Sequence, residues 1–572
     1  MSQLIARYEW KDLPWRKIHR SVWKLQKRIY RASQRGDVKA VRRLQKLMMR
    51  SWAAKCVAVR RVTQENRGKQ TAGVDGIKML SPEQRLNLVE AMNTRDGIRK
   101  AKPVQRVWID KPGRAEKRPL GIPTMYDRAM QGLAKQALEP EWEARFEPRS
   151  YGFRPGRSYH DAVVAIYAVI NKKPRYVLDA DISQCFDRIN HKALLRKLNT
   201  YPYMQSLVKA WLKSGCFDNE IFSESSEGTP QGGVISPLLA NIALHGMEKA
   251  IGEIRVKGVI NSRNPIHLIR YADDFVILHE DAAVITGCRE LISEWLKGMG
   301  LELKEAKTRI THTLNPVNGK VGFDFLGFHI RQYEVGKHGS KRGYKTIIKP
   351  SEKAVKVHIS RLGKAIRKHK AAPQEALIRY LNPIIRGWAN SKRSQCSKQT
   401  FGNLDAILFR QLWRWATRRH PDKSKRWVKD KYFHRVKGDN WRFSVKREEL
   451  GAVLLKHAEV KIVRHVIVKD TRSPYEGDDI YWSQRLRTYQ GLPIRIADLL
   501  REQDGKCAWC KQLFRDGDKM EIDHKIPRRV GGKDTKDNRQ LLHLHCHDIK
   551  TRYELSDEEY QLFMEWLDEN PF

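Results

Sequence analysis

Residues 268–278 read LIRYADDFVIL, so that two apolar runs enclose an Asp-Asp pair. This pattern predicts two strands joined by a tight turn that presents Asp273 and Asp274 at its tip. Two adjacent carboxylates in an apolar frame are costly unless a cation neutralises them. An isolated Asp-Asp pair is more often a solvated turn. A two-metal phosphoryl-transfer site would need a third carboxylate from another strand.

A candidate third carboxylate lies upstream, in residues 176–187, which read YVLDADISQCFD. The apolar run predicts a strand that contains Asp181, and Phe186 follows five residues later. With this spacing the sequence resembles the reverse transcriptases, and specifically the group II intron-encoded proteins. In that family the aspartate is catalytic and the aromatic residue is a steric gate.

The resemblance implies a polymerase site that holds two Mg²⁺ ions. Asp181 and Asp273 would bridge the ions, Asp274 would support them, and the carbonyl of Ile182 would be a backbone ligand. All three aspartates are therefore predicted to be catalytic.

Further blocks follow in the order that the family shows. They are residues 111–113 (KPG), 118–124 (RPLGIPT), 150–158 (SYGFRPGRS), 229–239 (TPQGGVISPLL), 307–309 (KTR) and 325–328 (FLGF). The first two blocks resemble the fingers hairpin, and the last resembles the primer-side hairpin. Chance does not explain six ordered blocks.

The same blocks supply candidate contacts to the incoming deoxynucleoside triphosphate (dNTP), namely Lys111, Arg118, Phe186, Gln231 and Lys307. Lys111 and Arg118 would grip the triphosphate, where fixed positive charge offsets the charge that develops in transfer. Either could instead be an ordinary surface base. Gln231 belongs to the loop beside the nascent base pair, and Lys307 stands where the family has a lysine near the leaving pyrophosphate.

Between residues 104 and 330, short β-like runs alternate with helical patterns, which predicts an α/β or α+β domain. The predicted strands are Val104–Ile109, Arg175–Leu178, Leu268–Tyr271, Phe275–Leu278 and Phe323–Ile330. Residues 15–62 and the stretch after residue 350 have helical periodicity, and a loop is predicted near residues 66–76. The fold class predicted is therefore multidomain α+β.

Positive charge is large and unevenly placed. The chain has 110 Lys and Arg against 65 Asp and Glu, a net charge of +45. Residues 1–70 hold 20 basic residues against 4 acidic ones, and residues 341–450 hold 30 against 8. A surface charged only for solubility would not need this imbalance, so nucleic acid is the expected partner.

Residues 380–390 (YLNPIIRGWAN) resemble the maturase domain, also called X or thumb, of group II intron proteins. Such a helical bundle with a basic exterior suits structured RNA. Ser391-Lys392 follows where the family commonly has two tyrosines, which leaves the local packing open. Residues 421–490 resemble the family's variable DNA-binding region. The alternative is that this whole region is only a structural linker. Within it, residues 473–477 are predicted to be a linker.

The C-terminal region contains two pairs of candidate metal ligands, Cys507-Ala-Trp-Cys510 and His543-Leu-His-Cys546. Four soft or borderline ligands in two such pairs suit a closed tetrahedral zinc site. His545 is a competing candidate ligand. The other five cysteines are scattered singly, which indicates a reducing compartment rather than a disulfide framework.

Asp523, His524 and Asn538 lie between the two pairs, and His547 follows the second pair. This arrangement resembles the HNH (ββα-metal) nucleases. The resemblance implies that His524 is the general base for water and that Asp523 and His547 bind Mg²⁺ or Mn²⁺. Asn538 would orient the loop of the base. A purely structural zinc module would need none of these four residues.

The resemblance covers nearly the whole chain and implies five regions. They are a basic helical N-terminal extension (1–70), reverse transcriptase fingers and palm (71–340), a thumb or maturase domain (341–420), a DNA-binding region with linker (421–490) and an HNH endonuclease domain (491–572). It implies an RNA-directed DNA polymerase of a mobile group II intron. Its expected partners are the parent intron RNA, double-stranded target DNA and dNTPs, and a homodimer is an open option.

Two alternative functions stay open at this stage. One is a splicing cofactor whose polymerase is a relic, against which the intact aspartates argue. The other is a host-domesticated reverse transcriptase in a defence system. No apolar run reaches the ~20 residues of a membrane span, and Glu9 and Asp12 argue against a signal peptide. A bacterial, nucleoid-associated cytoplasmic location without a membrane partner is expected, and an organellar host stays open.

Overall fold

A computed structural model describes residues 9–93, 100–110, 117–218, 221–225, 227–252, 264–336, 338–445, 451–488, 492–515 and 517–553. The chain begins with four helices: α1 (Trp15–Gln34), α2 (Val38–Arg50), α3 (Trp52–Arg60) and α4 (Pro82–Ala91). Ile18, Val22, Leu25 and Ile29 recur at helical spacing on α1 and are buried. The predicted helical region and the loop that follows it are confirmed.

Strands and helices alternate from residue 104 to residue 350. The elements are β1 (Val104–Asp110), β2 (Lys117–Ile122), α5 (Met125–Glu143), α6 (Tyr159–Ile170), β3 (Tyr176–Asp181), α7 (Cys185–Arg188), α8 (His191–Leu198), α9 (Pro202–Leu212), β4 (Cys216–Asp218), β5 (Ile221–Ser223), α10 (Ser236–Leu244), α11 (Met247–Gly252), β6 (His267–Tyr271), β7 (Asp274–His279), α12 (Ala282–Lys297), β8 (Arg309–His312), β9 (Phe323–Phe325), β10 (Phe328–Glu334) and β11 (Tyr344–Pro350).

These strands form three sheets, with the orders β2-β1-β4-β5, β6-β7-β3-β8 and β11-β10-β9. The second, here called the central sheet, is antiparallel throughout. Its two inner strands are buried on both faces because alternate residues enter different cores. Leu178 and Ile277 join the core that includes the N-terminal helices, whereas Val177 and Val276 join a second core with β9 and β10. The central sheet therefore lies between two packed layers.

The β-like run Phe323–Ile330 forms two strands rather than one, because the chain reverses within it, and the hairpin that the resemblance implied for residues 325–328 is confirmed. Leu326 and Gly327 have φ angles of 49° and 77°. Phe325 then pairs directly with Phe328 across a two-residue turn. Two consecutive left-handed residues form a tight hairpin turn, and glycine adopts this conformation without strain.

The C-terminal part contains a helical bundle, a small hairpin and a ββα unit. Its elements are α13 (Glu352–Lys368), α14 (Gln374–Lys392), α15 (Lys398–Arg418), α16 (Lys425–Tyr432), β12 (Phe433–Val436), β13 (Asp439–Phe443), α17 (Asp479–Thr488), α18 (Ile494–Glu502), β14 (Met520–His524), β15 (Arg539–His543) and α19 (Leu544–Tyr553). Leu362, Leu381 and Leu412 share the core of the bundle. The multidomain α+β prediction is confirmed.

Lys392, at the position where the sequence departs from the family pattern, is buried at the end of α14. Its ammonium donates to the carbonyl of Gly327 at 3.0 Å and lies 4.1 Å from the centroid of the Phe328 ring. Burial lowers the pKa of Lys392 to about 8. The lysine thus ties the helical bundle to the turn between β9 and β10.

The prediction of a linker at residues 473–477 is wrong. Ser473, Pro474 and Tyr475 are buried. The Tyr475 hydroxyl donates to the carboxylate of Glu139 at 2.8 Å. A large aromatic side chain with a satisfied hydroxyl gains more from burial than from exposure, so this segment is packed. Among the described residues, no helix combines the length and the apolar character that crossing a bilayer requires.

Candidate active sites

Three carboxylates gather at one end of the central sheet. Tyr271 pairs with Asp274 across the β6–β7 hairpin, so Ala272 and Asp273 form its turn. Ala272 has a φ of 58°, the left-handed conformation of a tight turn. Asp181 is the cross-strand partner of Asp274, which places their side chains on one face at neighbour distance. The hairpin predicted from the sequence is confirmed.

The electrostatics of this cluster favour a bound cation. Burial raises the pKa of Asp273, and the charges of Arg118 and Arg270 oppose that shift. Burial, followed by repulsion from Asp273 and Asp179, raises the pKa of Asp274 to about 7. A divalent cation would remove this repulsion and favour the ionised carboxylates. The residues therefore fit a metal site. Ile182, the predicted backbone ligand, is buried beside Asp181.

Lys307 lies against this cluster, where its ammonium forms an ion pair with Asp181. The Asp181 main chain is also held, because its carbonyl accepts from the amide of Lys304 at 2.8 Å. A metal ion on Asp181 would compete with the ammonium for the same oxygen. Lys307 therefore belongs to the carboxylate cluster.

The other candidate dNTP contacts lie nearby. Phe186 packs edge-on against Phe153 at 6.1 Å. The main-chain carbonyl of Gln231 accepts from the amide of Gly121 at 2.6 Å, which joins its loop to β2. A cleft of about 350 Å³ is lined by Gly121 and Gln231. Arg118 is exposed on β2. Lys111 lies outside the described residues.

The second cluster is in the C-terminal part. Ligand atoms of Cys507, Cys510, His543 and Cys546 all lie within 4.8 Å of one another, and all four residues are buried. Nε2 of His543 is 3.3 Å from the carboxylate of Asp518, the outer partner that orients metal-binding histidines. The donor set fits a closed tetrahedral zinc site. His545, the competing candidate, lies outside the cluster and stacks on His543 at 5.0 Å.

The candidate nuclease residues lie on the ββα unit. Nε2 of His547 is 3.8 Å from the carboxylate of Asp523, so the two predicted metal ligands meet. Nε2 of His524 is 3.1 Å from the carboxylate of Asp534. The Asn538 side chain accepts from the amide of Ile526 at 2.8 Å and donates to its carbonyl at 3.0 Å. Asn538 thus fixes the conformation of the loop that follows His524.

The family comparisons agree with these two centres. Residues 109–330 match "Reverse transcriptase (RNA-dependent DNA polymerase)", and residues 10–92 match "N-terminal domain of reverse transcriptase". Residues 355–433 match "Group II intron, maturase-specific domain", and residues 507–552 match "HNH endonuclease". Protein YkfC of Escherichia coli is 33% identical over 355 residues, which cover 55% of this chain and 88% of YkfC. Group II intron-encoded protein LtrA of Lactococcus lactis is 29% identical over 333 residues, 46% of this chain and 53% of LtrA.

The chain belongs to the group II intron-encoded reverse transcriptases.

Maturase-like protein 1 of Euglena gracilis is a further relative, 26% identical over 428 residues, which cover 70% of this chain and 85% of that protein. The matched region spans about half the length of LtrA. The family predicted from the ordered motifs is confirmed, and with it an enzyme that carries a reverse transcriptase domain and an HNH endonuclease domain.

Sequence reasoning missed Arg270, which is fully buried in β6, next to the turn of the β6–β7 hairpin. Its guanidinium donates to the carbonyl of Ala272 and to the side chain of Asn241, both at 3.1 Å. Asn241 in turn donates to the carbonyl of Gly152 at 2.7 Å. A Cβ at Gly152 would meet the amide of Ala272 at 2.3 Å. Arg270 therefore holds the hairpin against the 150–158 block. The signal in the sequence that could have identified Arg270 is a single basic residue inside an apolar predicted strand.

Two further residues were missed in the nuclease centre. Nζ of Lys550 is 2.6 Å from the Asp523 carboxylate and also donates to the carbonyl of His524 at 2.6 Å. Asp534, which contacts His524, is paired with Arg539 at 2.8 Å. Each lies several residues from the motif that identifies the domain. Spacing along the chain offers no reason to select them.

Because the pKa of Asp274 is raised, the stability difference between the wild type and the Asp274→Asn variant should depend on pH. Between an unfolded pKa of about 3.9 and a folded value of about 7, the folded chain binds the proton more tightly. Stability therefore falls as the pH rises through this window. Without added metal, Asp274→Asn should raise the melting temperature at pH 8 by about 1–2 °C. The gain is small because, although neighbouring groups desolvate the carboxylate, the residue is still partly exposed and solvent screens the repulsion.

Thermal melts of both proteins at pH 8 and pH 5 test this expectation. At pH 5 the difference should shrink to roughly a third, because Asp274 is protonated in the folded chain while its unfolded form, with a pKa of about 3.9, is already mostly ionised. A variant that melts below the wild type at pH 8 would contradict the assigned repulsion.

Proposed function

We propose that this protein is the RNA-directed DNA polymerase of a mobile group II intron. It binds its intron RNA, assists splicing, nicks double-stranded target DNA with its HNH domain and copies the intron by target-primed reverse transcription. The observation that carries this proposal is the placement of Asp181, Asp273 and Asp274 together at one end of the central sheet. The maturase-specific and HNH matches in the same chain support the remaining steps.

In this proposal the sheets take the roles of a right-handed polymerase. The sheet that contains β1 and β2 belongs to the fingers, the central sheet to the palm, and α13 to α15 to the thumb. The proposed boundaries are residues 71–340 for fingers and palm, 341–420 for the thumb, 421–490 for the DNA-binding region and 491–572 for the nuclease. Residues 1–70 form the N-terminal extension.

Asp181 and Asp273, with the Ile182 carbonyl and Asp274, would hold two Mg²⁺ ions, which when bound activate the primer hydroxyl and neutralise the triphosphate. Arg118 can pair with the triphosphate, because its charge already reaches Asp273. Phe186, braced by Phe153, would form the wall that acts as the steric gate. Lys307 can exchange its pairing with Asp181 for the leaving pyrophosphate.

In the HNH domain, Asp523 and His547 would hold Mg²⁺ or Mn²⁺, which when bound polarises the scissile phosphate. His524 would take the proton from the attacking water. Its ring is oriented by Asp534, and Asn538 fixes the following loop. Zinc on Cys507, Cys510, His543 and Cys546 would be structural, since four protein ligands leave no position for water.

RNA affinity is proposed to lie in the basic stretches 1–70 and 341–450. Lys356, Arg361, Lys364 and Arg367 are all exposed on α13. Reversing these four charges should weaken intron RNA binding by roughly 10- to 100-fold, and the log–log slope of affinity against salt should become shallower by about 0.7–0.9 for each phosphate that the protein no longer neutralises. Splicing should fall with binding, whereas extension of a short primer–template should change little.

The matched control reverses four exposed bases outside both stretches, Lys192, Arg196, Lys209 and Lys213. Filter binding at several salt concentrations, a splicing assay and primer extension give the three readouts. Equal losses of splicing and primer extension in the α13 variant would contradict the assigned RNA surface. An RNA affinity that does not change with salt concentration would contradict it as well.

The wider proposal is tested by the DNA that flanks the reading frame. The flanks should encode a foldable ribozyme, and its transcript, mixed with this protein and target duplex, should yield cDNA joined to the nicked strand. A reading frame that stands alone beside defence genes would favour the domesticated alternative instead.

A further inference from the structure

Helix α1 has a second contact face in addition to the one in the N-terminal core. His19, Trp23 and Tyr30 are spaced four and seven residues apart, which places them along one side of the helix. Each contacts a residue that follows position 470 in the chain. The N-terminal helix is therefore a packing surface for the C-terminal part.

Three imidazole rings stack in series at one end of this face. His543, the candidate zinc ligand, stacks on His545 with ring centroids 5.0 Å apart and planes 15° apart. His545 then stacks on His19 at 5.3 Å and 18°. Burial lowers the pKa of His19 to about 3, although the nearby carboxylate of Asp518 opposes that shift, so the ring is neutral. The stack runs from the zinc cluster directly into α1.

Charged contacts flank the stack on both sides. The guanidinium of Arg60, on α3, is 3.1 Å from the carboxylate of Asp548 and lies 4.4 Å from the Trp15 ring centroid. Only 3% of the Arg60 side chain is exposed. Arg60 also pairs with Glu65 at 3.2 Å, so loss of Asp548 would weaken the pairing of this buried charge without leaving it unpaired. The guanidinium of Arg515 covers the Trp23 ring at 5.0 Å.

The segment that leads to the nuclease is held on the same helix. The Tyr475 ring lies 5.4 Å from Trp23 and 6.4 Å from Tyr30. Farther along, Arg485 on α17 pairs at 2.6 Å with Asp161, a fully buried residue of α6. The nuclease is thus held on the polymerase by the segment that contains Tyr475 and Arg485 as well as by the residues of the candidate zinc cluster.

We propose that α1 and α3 are the docking surface of the zinc-bearing nuclease, and that docking holds the HNH centre at a fixed position relative to the polymerase centre. The fold, rather than a free tether, would then set where the second strand is cut and would present the new 3′ end for copying. A bound zinc would also support this docking, because it fixes His543 and thereby the orientation of His545 and Asp548, which contact α1 and α3. This inference rests on the proposed function above.

The test uses the full chain with two variants, one from each side of the interface. His19→Ala removes the end of the stack, and Asp548→Asn weakens the pairing with Arg60. Ser21→Ala, an exposed change on the same helix, is the matched control. Hydrogen exchange of α19, zinc content, primer extension and mapped nicking with intron RNA and target duplex are measured for each protein.

In both interface variants, exchange of α19 should quicken at least tenfold, with zinc content and primer extension as in the wild type. Nicks should spread over several positions, and cDNA primed from the nick should fall about tenfold. The control should match the wild type. Unchanged exchange in both variants, or an undocked nuclease that still cuts at one position and primes normally, overturns the inference. A wild-type protein that never nicks would instead refute the proposed function, while the exchange data would still decide whether the dock exists.

Discussion

Replacing Asp273 with Asn should abolish dNTP incorporation on an RNA template, with a loss of roughly 10³-fold or more. The change keeps the shape of the side chain and removes the charge that would bridge two Mg²⁺ ions. Because Asp273 forms the turn of the β6–β7 hairpin and faces Arg118 and Arg270, no other carboxylate of the hairpin can take its place. Primer extension on a supplied template measures the effect.

RNA binding by the Asp273→Asn protein should persist, since the proposed RNA surfaces lie elsewhere. Its melting temperature should not fall, because a half-buried carboxylate with a raised pKa is replaced by a neutral group. Asp422→Asn, an exposed change after α15, serves as the matched control and should extend primers normally. Extension by the Asp273 variant at a near wild-type rate would refute the site assignment.

The second large effect is expected in the nuclease domain, where two substitutions should separate folding from chemistry. Cys510→Ser removes a ligand from a closed zinc site, which contributes folding free energy directly. The domain core, including Phe514, Leu541 and the cysteines themselves, is built around that cluster. We therefore expect Cys510→Ser to lose zinc and to unfold most of residues 492–553.

His524→Ala should leave the same domain folded and zinc-loaded but unable to nick DNA, because the proposed base is lost while the four zinc ligands stay. Polymerisation on a supplied primer should survive in both variants, and copying that depends on a self-made nick should vanish in both. Cys396→Ser, a change at an exposed free cysteine, is the control for the cysteine substitution.

Metal analysis and a strand-specific nicking assay decide between these outcomes. Retained second-strand nicking by purified His524→Ala protein would mean that the C-terminal domain only binds DNA and is stabilised by zinc. Zinc retention by Cys510→Ser would mean that the ligand set is wrong.

Features encoded by neighbouring residues could be predicted from the sequence. The hairpin at residues 271–274 follows from two apolar runs around two aspartates, and the structure forms it there. The Cys507–Cys510 and His543–Cys546 pairs follow from their spacing, and their ligand atoms converge. In each case the motif itself lies within a few residues, so a local pattern identifies it.

Local patterns failed where the deciding conformation or contact was not periodic. The apolar periodicity of Phe323–Ile330 alone reads as one strand, because it does not show that Leu326 and Gly327 adopt left-handed backbone angles. The hairpin there was implied only by the family resemblance of residues 325–328. The segment around Tyr475 looks like a linker because its composition is polar and turn-forming. It is packed because Trp23 and Tyr30 cover the ring.

The sequence by itself determined the family, the three aspartates that meet at the end of the central sheet, the four Cys and His residues that cluster in the C-terminal part, and the basic stretches. Only the tertiary structure decided how these parts are joined. Arg60 and Asp548 are 488 positions apart, and Arg485 and Asp161 are 324 apart. Spacing carries no information about such pairs, because a contact between distant segments depends on how every intervening element packs. The attachment of the nuclease to the polymerase is therefore a property of the folded chain.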